Sequence, residues 1–162
     1  MHGGIFSYGL LSALAIALLI AAFTDLRRRQ IDNWLNAAIA LGAPIFWLVN
    51  GQSWLDVAFH LAIALIIFIV LAAMFALRAM GGGDVKLLSA LALWIQPVTF
   101  LQLLMVMSLL GGALTLIVGG MHYARRSEGR IMVPYGIAIS FAGLWALATQ
   151  YLPTIYFAAR PG

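Results

Sequence analysis

Apolar residues in this chain fall into long uncharged blocks separated by short polar stretches, the pattern of successive membrane helices rather than of elements around a water-soluble core. Ile5 to Phe23 runs 19 residues without a charge, Val57 to Leu77 runs 21, Val98 to Met121 runs 24 and Ile131 to Leu152 runs 22. At 1.5 Å per residue, each can cross a hydrocarbon layer of about 30 Å. Trp34 to Val49 has 16 residues and contains Pro44, which predicts a short, kinked span. Val85 to Ile95 has eleven, and by hydropathy alone it reads as re-entrant or half-inserted.

Arginine and lysine decide between five and six crossings. With six, one side carries the loops Arg27 to Asn33, Arg78 to Lys86 and His122 to Arg130. These hold eight of the nine cations: Arg27, Arg28, Arg29, Arg78, Lys86, Arg125, Arg126 and Arg130. Arg160 alone falls on the other side. Five crossings would send Arg125, Arg126 and Arg130 outside, against the positive-inside rule. The expectation is a polytopic all-α bundle of six transmembrane helices, the fourth short, with both termini non-cytoplasmic. Trp47, Trp54 and Trp94 are predicted at outer headgroup levels, Trp34 at an inner one, and Trp145 mid-span as packing. Ile5 to Phe23 is expected to stay as the first helix, because Met1 to Gly4 lacks Lys and Arg and no A-x-A-like site precedes a soluble domain.

Composition sharpens the class. Of 162 residues, 64% are hydrophobic and 9% charged, against roughly 45–50% and about 25% in soluble domains. One membrane-embedded domain over 1–162 is expected. The net charge of +4 sits in short clusters and forms no basic face, so nucleic acid is not an expected partner. No cysteine is present, which excludes disulfides and thiolate chemistry. His2, His60 and His122 are far apart, so no metal site and no cofactor is expected. Gly111, Gly112, Gly119 and Gly120 lie seven to nine residues apart, a spacing for close helix packing.

Five acids remain to be explained, and in lipid such residues are the informative ones. Asp56 is predicted as an N-cap of the third helix, Glu128 as a solvated partner for its arginine neighbours, and Asp32 as a cap or a counter-charge. Asp25 and Asp84 each fall at a membrane boundary on the same predicted side. Asp25 lies about 30 Å down the first helix; Asp84 follows Gly81, Gly82 and Gly83. Three glycines are costly as helix, at about 1 kcal/mol each, and are expected to be non-helical. Such backbone at membrane depth is tolerated only if buried or lining a wet cavity. Two readings stay open: a cavity with a carboxylate at its edge, or a flexible loop whose Asp84 caps the fourth helix. If the two aspartates approach, one shares its proton with the other, and the pair can activate water while hydrogen-bonding a carbonyl.

Three segments resemble the type IV prepilin peptidases, membrane aspartic proteases of the GxGD type. Phe23 to Leu35 looks like that family's first aspartate segment, Gly81 to Leu87 like its GxGD-x-K segment, and Val133 to Ala138 like its Pro-(Phe/Tyr)-Gly segment. The resemblance implies Asp25 and Asp84 as the catalytic pair and a leader peptide of a pilin-like precursor as substrate, cut at the cytoplasmic face of a bacterial inner membrane. It implies that the Gly81–Gly83 loop shapes the site and that Lys86 orients the site or marks topology. Position 32 is aspartate where the family has proline, and Asp25 is preferred over Asp32. The bifunctional members carry a cysteine-bearing insertion; this chain lacks it and is expected to be a peptidase without methyltransferase, most like those of Flp/Tad pilus systems. Arg27 to Arg29 are assigned to topology and anionic lipid, and substrate anchoring to a hydrophobic pilin helix between spans. The alternative is a proton-coupled transporter or channel component using the same aspartates as a relay.

Overall fold

The computed structural model describes residues 4–124 and 135–158. They form α1 (Gly4–Arg28), α2 (Asn33–Val49), α3 (Trp54–Ala76), α4 (Gly82–Leu91), α5 (Pro97–Ala124) and α6 (Tyr135–Ala158). The fold is all-helical. By length and apolar composition α1, α3 and the Pro97–Met121 part of α5 can each cross a bilayer, and Asn33–Val49 is a shorter apolar helix, which marks a membrane protein. At 10 residues, or about 15 Å, α4 covers only half that thickness. Arg125, Arg126, Glu128, Arg130, Val133, Pro134, Arg160 and His2 lie outside the described residues.

The shortest helix sits at the centre. Leu87, Leu88 and Leu91 of α4 are fully buried, and α4 packs on α2, α3 and α6. Helix α6 in turn packs on α1 and α5. Helix α3 buries only Ala64 and Leu71 and turns Leu65, Ile66, Phe68 and Ile69 outward, a face that lipid accepts without penalty.

Trp94, just past α4, locks that helix in place. Its indole N–H donates to the Ile39 carbonyl at 2.8 Å, and its own carbonyl accepts from Tyr151 Oη at 2.8 Å and Gln150 Nε2 at 3.3 Å. Its ring packs so closely on α2 that a Cβ at Gly42 would lie 2.8 Å from it. Trp94 and Trp47 are therefore core residues, contrary to the headgroup expectation, because each ring finds more apolar contact between helices than at an interface. Trp145, expected to pack, is 40% exposed, whereas Trp34 and Trp54 do face outward.

Helix boundaries bring further corrections. Ser53, not Asp56, is the N-cap of α3. Asp56 is at the third helical position and completes a capping box, accepting from the Ser53 backbone N–H while the Ser53 hydroxyl accepts from the Asp56 N–H. Asp32 does stand at the N-cap of α2, without a side-chain hydrogen bond to the helix. Helix α2 continues through Pro44. Among the described residues, Gly111 is the one α5 glycine of the four that meets a neighbour, the Tyr135 ring; Gly112, Gly119 and Gly120 meet none there and form no packing stripe within the described residues.

Candidate active site

Gly82 and Gly83 are helical, which corrects the expectation of a non-helical glycine loop. Only Gly81 is extended, at the N-cap of α4, and Asp84 occupies the third helical position instead of capping. The first turn of a helix tolerates glycine because its N–H groups lack intrahelical partners in any case. What these glycines provide is close approach. Gly83 lies against Ile31, where a Cβ would sit 3.6 Å from the Ile31 Cβ, and Gly82 lies against the Phe75 ring.

That approach brings the first aspartate segment onto the second. Helix α1 ends at Arg28, and the next residue, Arg29, takes a left-handed conformation at φ 52° with its N–H still bonded to the Asp25 carbonyl at 2.8 Å. The chain then reverses, buries Ile31 against α4 and starts α2 at Asn33. Lys86 Nζ donates to Asn33 Oδ1 at 2.8 Å, tying the start of α2 to α4. Asp25 and Asp84 consequently line one cavity of about 1250 Å³, together with Arg29, Asp32, Asn33, Phe75, Arg78, Met107 and Tyr135. Gly81, Gly82 and Gly83 form part of its wall; Lys86 does not.

Asp25 is 6% exposed, and its Oδ2 has no hydrogen-bond partner among the described residues. The N–H groups of Gly136 and Ile137, in the first turn of α6, are directed at this carboxyl. Gly136 touches it so closely that a Cβ there would lie 2.7 Å from Asp25 Cγ. Asp84 stands ahead of the apolar run Val85 to Ile95 and is half-buried. Burial, and secondly the negative charge of Asp25, push its carboxyl up to about 6, against the opposing effect of the Gly81 N–H. Two carboxyls that share a cavity and feel each other's charge can hold a single proton between them.

Arg78, Asn33 and Tyr135 also reach this cavity; Asn33 and Tyr135 fall in two of the segments that carry the family resemblance but were not named as site residues, and nothing in a lone arginine announces convergence. Arg78 ends α3 with φ 57°, and the Tyr135 hydroxyl lies 3.2 Å from Thr115 Oγ1 across α5 and α6. Asp56 is far from the site, bonded within its own cap. Among the described residues no group of three or more metal-ligating side chains is found.

Fold and site together define a helical membrane protein with two aspartates in one cavity. The type IV leader peptidase family model matches residues 12–116, and the chain belongs to that family. The matched stretch contains Asp25 and Asp84 and ends before α6. No curated protein and no solved structure matches the chain.

Proposed function

We propose that this protein is an aspartic endopeptidase, one domain over 1–162, that removes the N-terminal leader of prepilin-like precursors at the cytoplasmic face of the inner membrane. The observation that carries this reading is the cavity shared by Asp25 and Asp84, in which burial, and secondly the Asp25 charge, push Asp84 to about 6. Membership of the leader peptidase family supports the substrate class. The distribution of eight of nine cations supports the cytoplasmic side.

In the mechanism, protonated Asp84 hydrogen-bonds the scissile carbonyl oxygen and ionised Asp25 accepts a proton from water. The water oxygen bonds to the carbonyl carbon while the Asp84 proton passes to the carbonyl oxygen, giving a neutral tetrahedral diol. Asp25 then delivers its proton to the leaving nitrogen, the C–N bond breaks and the proton returns from the diol hydroxyl to Asp84. Neither a metal nor a nucleophilic side chain takes part. With no cysteine in the chain, the reaction ends at cleavage without methylation, and the compact form fits Flp/Tad-type precursors.

The test is co-expression with a panel of prepilins, following precursor size for wild type, Asp25→Asn and Asp84→Asn. Cleavage by wild type alone supports the reading. Inserted, abundant wild type that leaves every precursor whole would turn the assignment to a proton relay through the same aspartates.

A further inference from the structure

We propose that Asn33 holds the extended backbone of the substrate by donating from Nδ2 to a peptide carbonyl, and that Lys86 is the positioning residue that turns the Asn33 amide to do so. This deepens the peptidase reading above and rests on it. Lys86 Nζ lies 2.8 Å from Asn33 Oδ1. An ammonium can only donate, so the amide oxygen must face Lys86; the flipped amide would set donor against donor. The two Nδ2 hydrogens are thereby directed away from Lys86. Asn33 lines the cavity that holds Asp25 and Asp84, and Lys86 does not, so the proposal assigns the Nδ2 side of the amide to the cavity.

The backbone that carries the donor is fixed as well. Asn33 is the first helical residue of α2, directly after the Asp32 N-cap, and two residues before it Ile31 is buried against Gly83. Asp25, Asp32 and Asp84 supply acceptors to the cavity wall, and Arg29 and Arg78 supply cations suited to anions. A neutral, oriented amide donor suits the neutral acceptor that every extended peptide repeats, its backbone carbonyl. Asn33 therefore contributes to holding the chain in register with the aspartates, independently of side-chain sequence.

The experiment measures initial cleavage rates of one accepted prepilin by the purified full chain in detergent. It compares wild type, Asn33→Leu, Asn33→Asp, Lys86→Met, Lys86→Arg and the double variant Asn33→Leu/Lys86→Met, with Tm recorded for each. Asn33→Asp keeps a partner for Lys86, loses the donor and adds a carboxylate to the cavity, so it is compared with wild type at the pH optimum of each; its kcat/KM there is expected to fall about tenfold, the loss of one well-placed hydrogen bond, with Tm close to wild type. Lys86→Arg restores most of what Lys86→Met loses. In the Asn33→Leu background, Lys86→Met has no further effect on kcat/KM, because Lys86 acts through Asn33. Wild-type kcat/KM in Asn33→Asp would reduce the pair to a structural brace and overturn the proposal. So would additive losses in the double variant. Should Asn33→Asp unfold, the double-variant comparison still decides. Wild type that cleaves no precursor marks failure of the peptidase reading itself; wild type that cleaves while Asp84→Asn does not leaves any failure with Asn33.

Discussion

The α carbon of Gly136 abuts the carboxyl of Asp25, leaving no room for a side chain: a Cβ would stand 2.7 Å from Cγ, 2.8 Å from Oδ2 and 2.9 Å from Cβ of the aspartate. The start of α6 thus fixes where the end of α1 can put its carboxyl. Gly136→Ala must move Asp25, and cleavage is expected to fall by 100-fold or more, roughly 3 kcal/mol in the barrier, while the protein still inserts. Gly112→Ala, on the open face of α5, is the control and should cleave as wild type does. Near-normal rates for Gly136→Ala would show that the contact does not set the Asp25 position.

The three glycines ahead of Asp84 are expected to differ in their tolerance of alanine. At Gly81 a Cβ would lie 2.9 Å from Asp84 Oδ2, at Gly82 3.2 Å from the Phe75 ring, and at Gly83 3.6 Å from Ile31, an ordinary contact. Activity should therefore be lost in the order Gly81→Ala, Gly82→Ala, Gly83→Ala, with the last close to wild type. Measured rates in the reverse order would contradict this packing.

Asp84 makes stability depend on pH in a definite direction. Its carboxyl is raised from 3.8 to about 6, so the folded protein retains a proton that the unfolded chain has released. The resulting penalty is absent below about pH 3.8, grows as pH rises to about 6 and is full above it. It amounts to at most about 3 kcal/mol, reduced by solvent in the cavity. Asp84→Asn should raise Tm in detergent at pH 8 and lose that advantage by pH 4. In the wild type, cleavage should decline as pH rises past 6 and the shared proton leaves. A Tm difference that does not change with pH would remove the basis for both expectations.

Gly42 faces the Trp94 ring, and an alanine there places Cβ 2.8 Å from it. Overpacking of this kind typically costs 1–3 kcal/mol. Gly42→Ala should lower Tm by several degrees while leaving the kcat of the folded fraction near wild type, because the contact is distant from both aspartates. A loss of kcat without a loss of Tm would show instead that α4 transmits the strain to its other end.

The helices, their order and the two aspartates that line one cavity were legible because lipid imposes a coarse code: charge-free length marks a span, and acids between spans stand out. The same code is silent on which way a tryptophan points, since a ring at Trp94 fits a headgroup level or a helix interface equally well until its indole finds the Ile39 carbonyl. Ser53 and Asp56 could have been assigned correctly, as S-x-x-D is a capping signature. Gly82 and Gly83 were misread because propensity penalises glycine in a helix interior, whereas here it sits in the first turn and is selected for contact with Phe75 and Ile31. The convergence of Asn33 and Lys86, 53 positions apart, is a tertiary fact that no local pattern carries.

Helix α4 is held at the end opposite its aspartate, where Trp94 is bonded to Ile39, Gln150 and Tyr151. Asp84 is thus the tip of a short rod that is fixed about 15 Å away, at its other end. Each residue of helix advances 1.5 Å and turns 100°. One residue inserted or deleted between Asp84 and Trp94 would swing the carboxyl out of the cavity even with every side chain around it unchanged. The interval from 84 to 94 is therefore a counted length, and its phase matters to this site as much as its composition does.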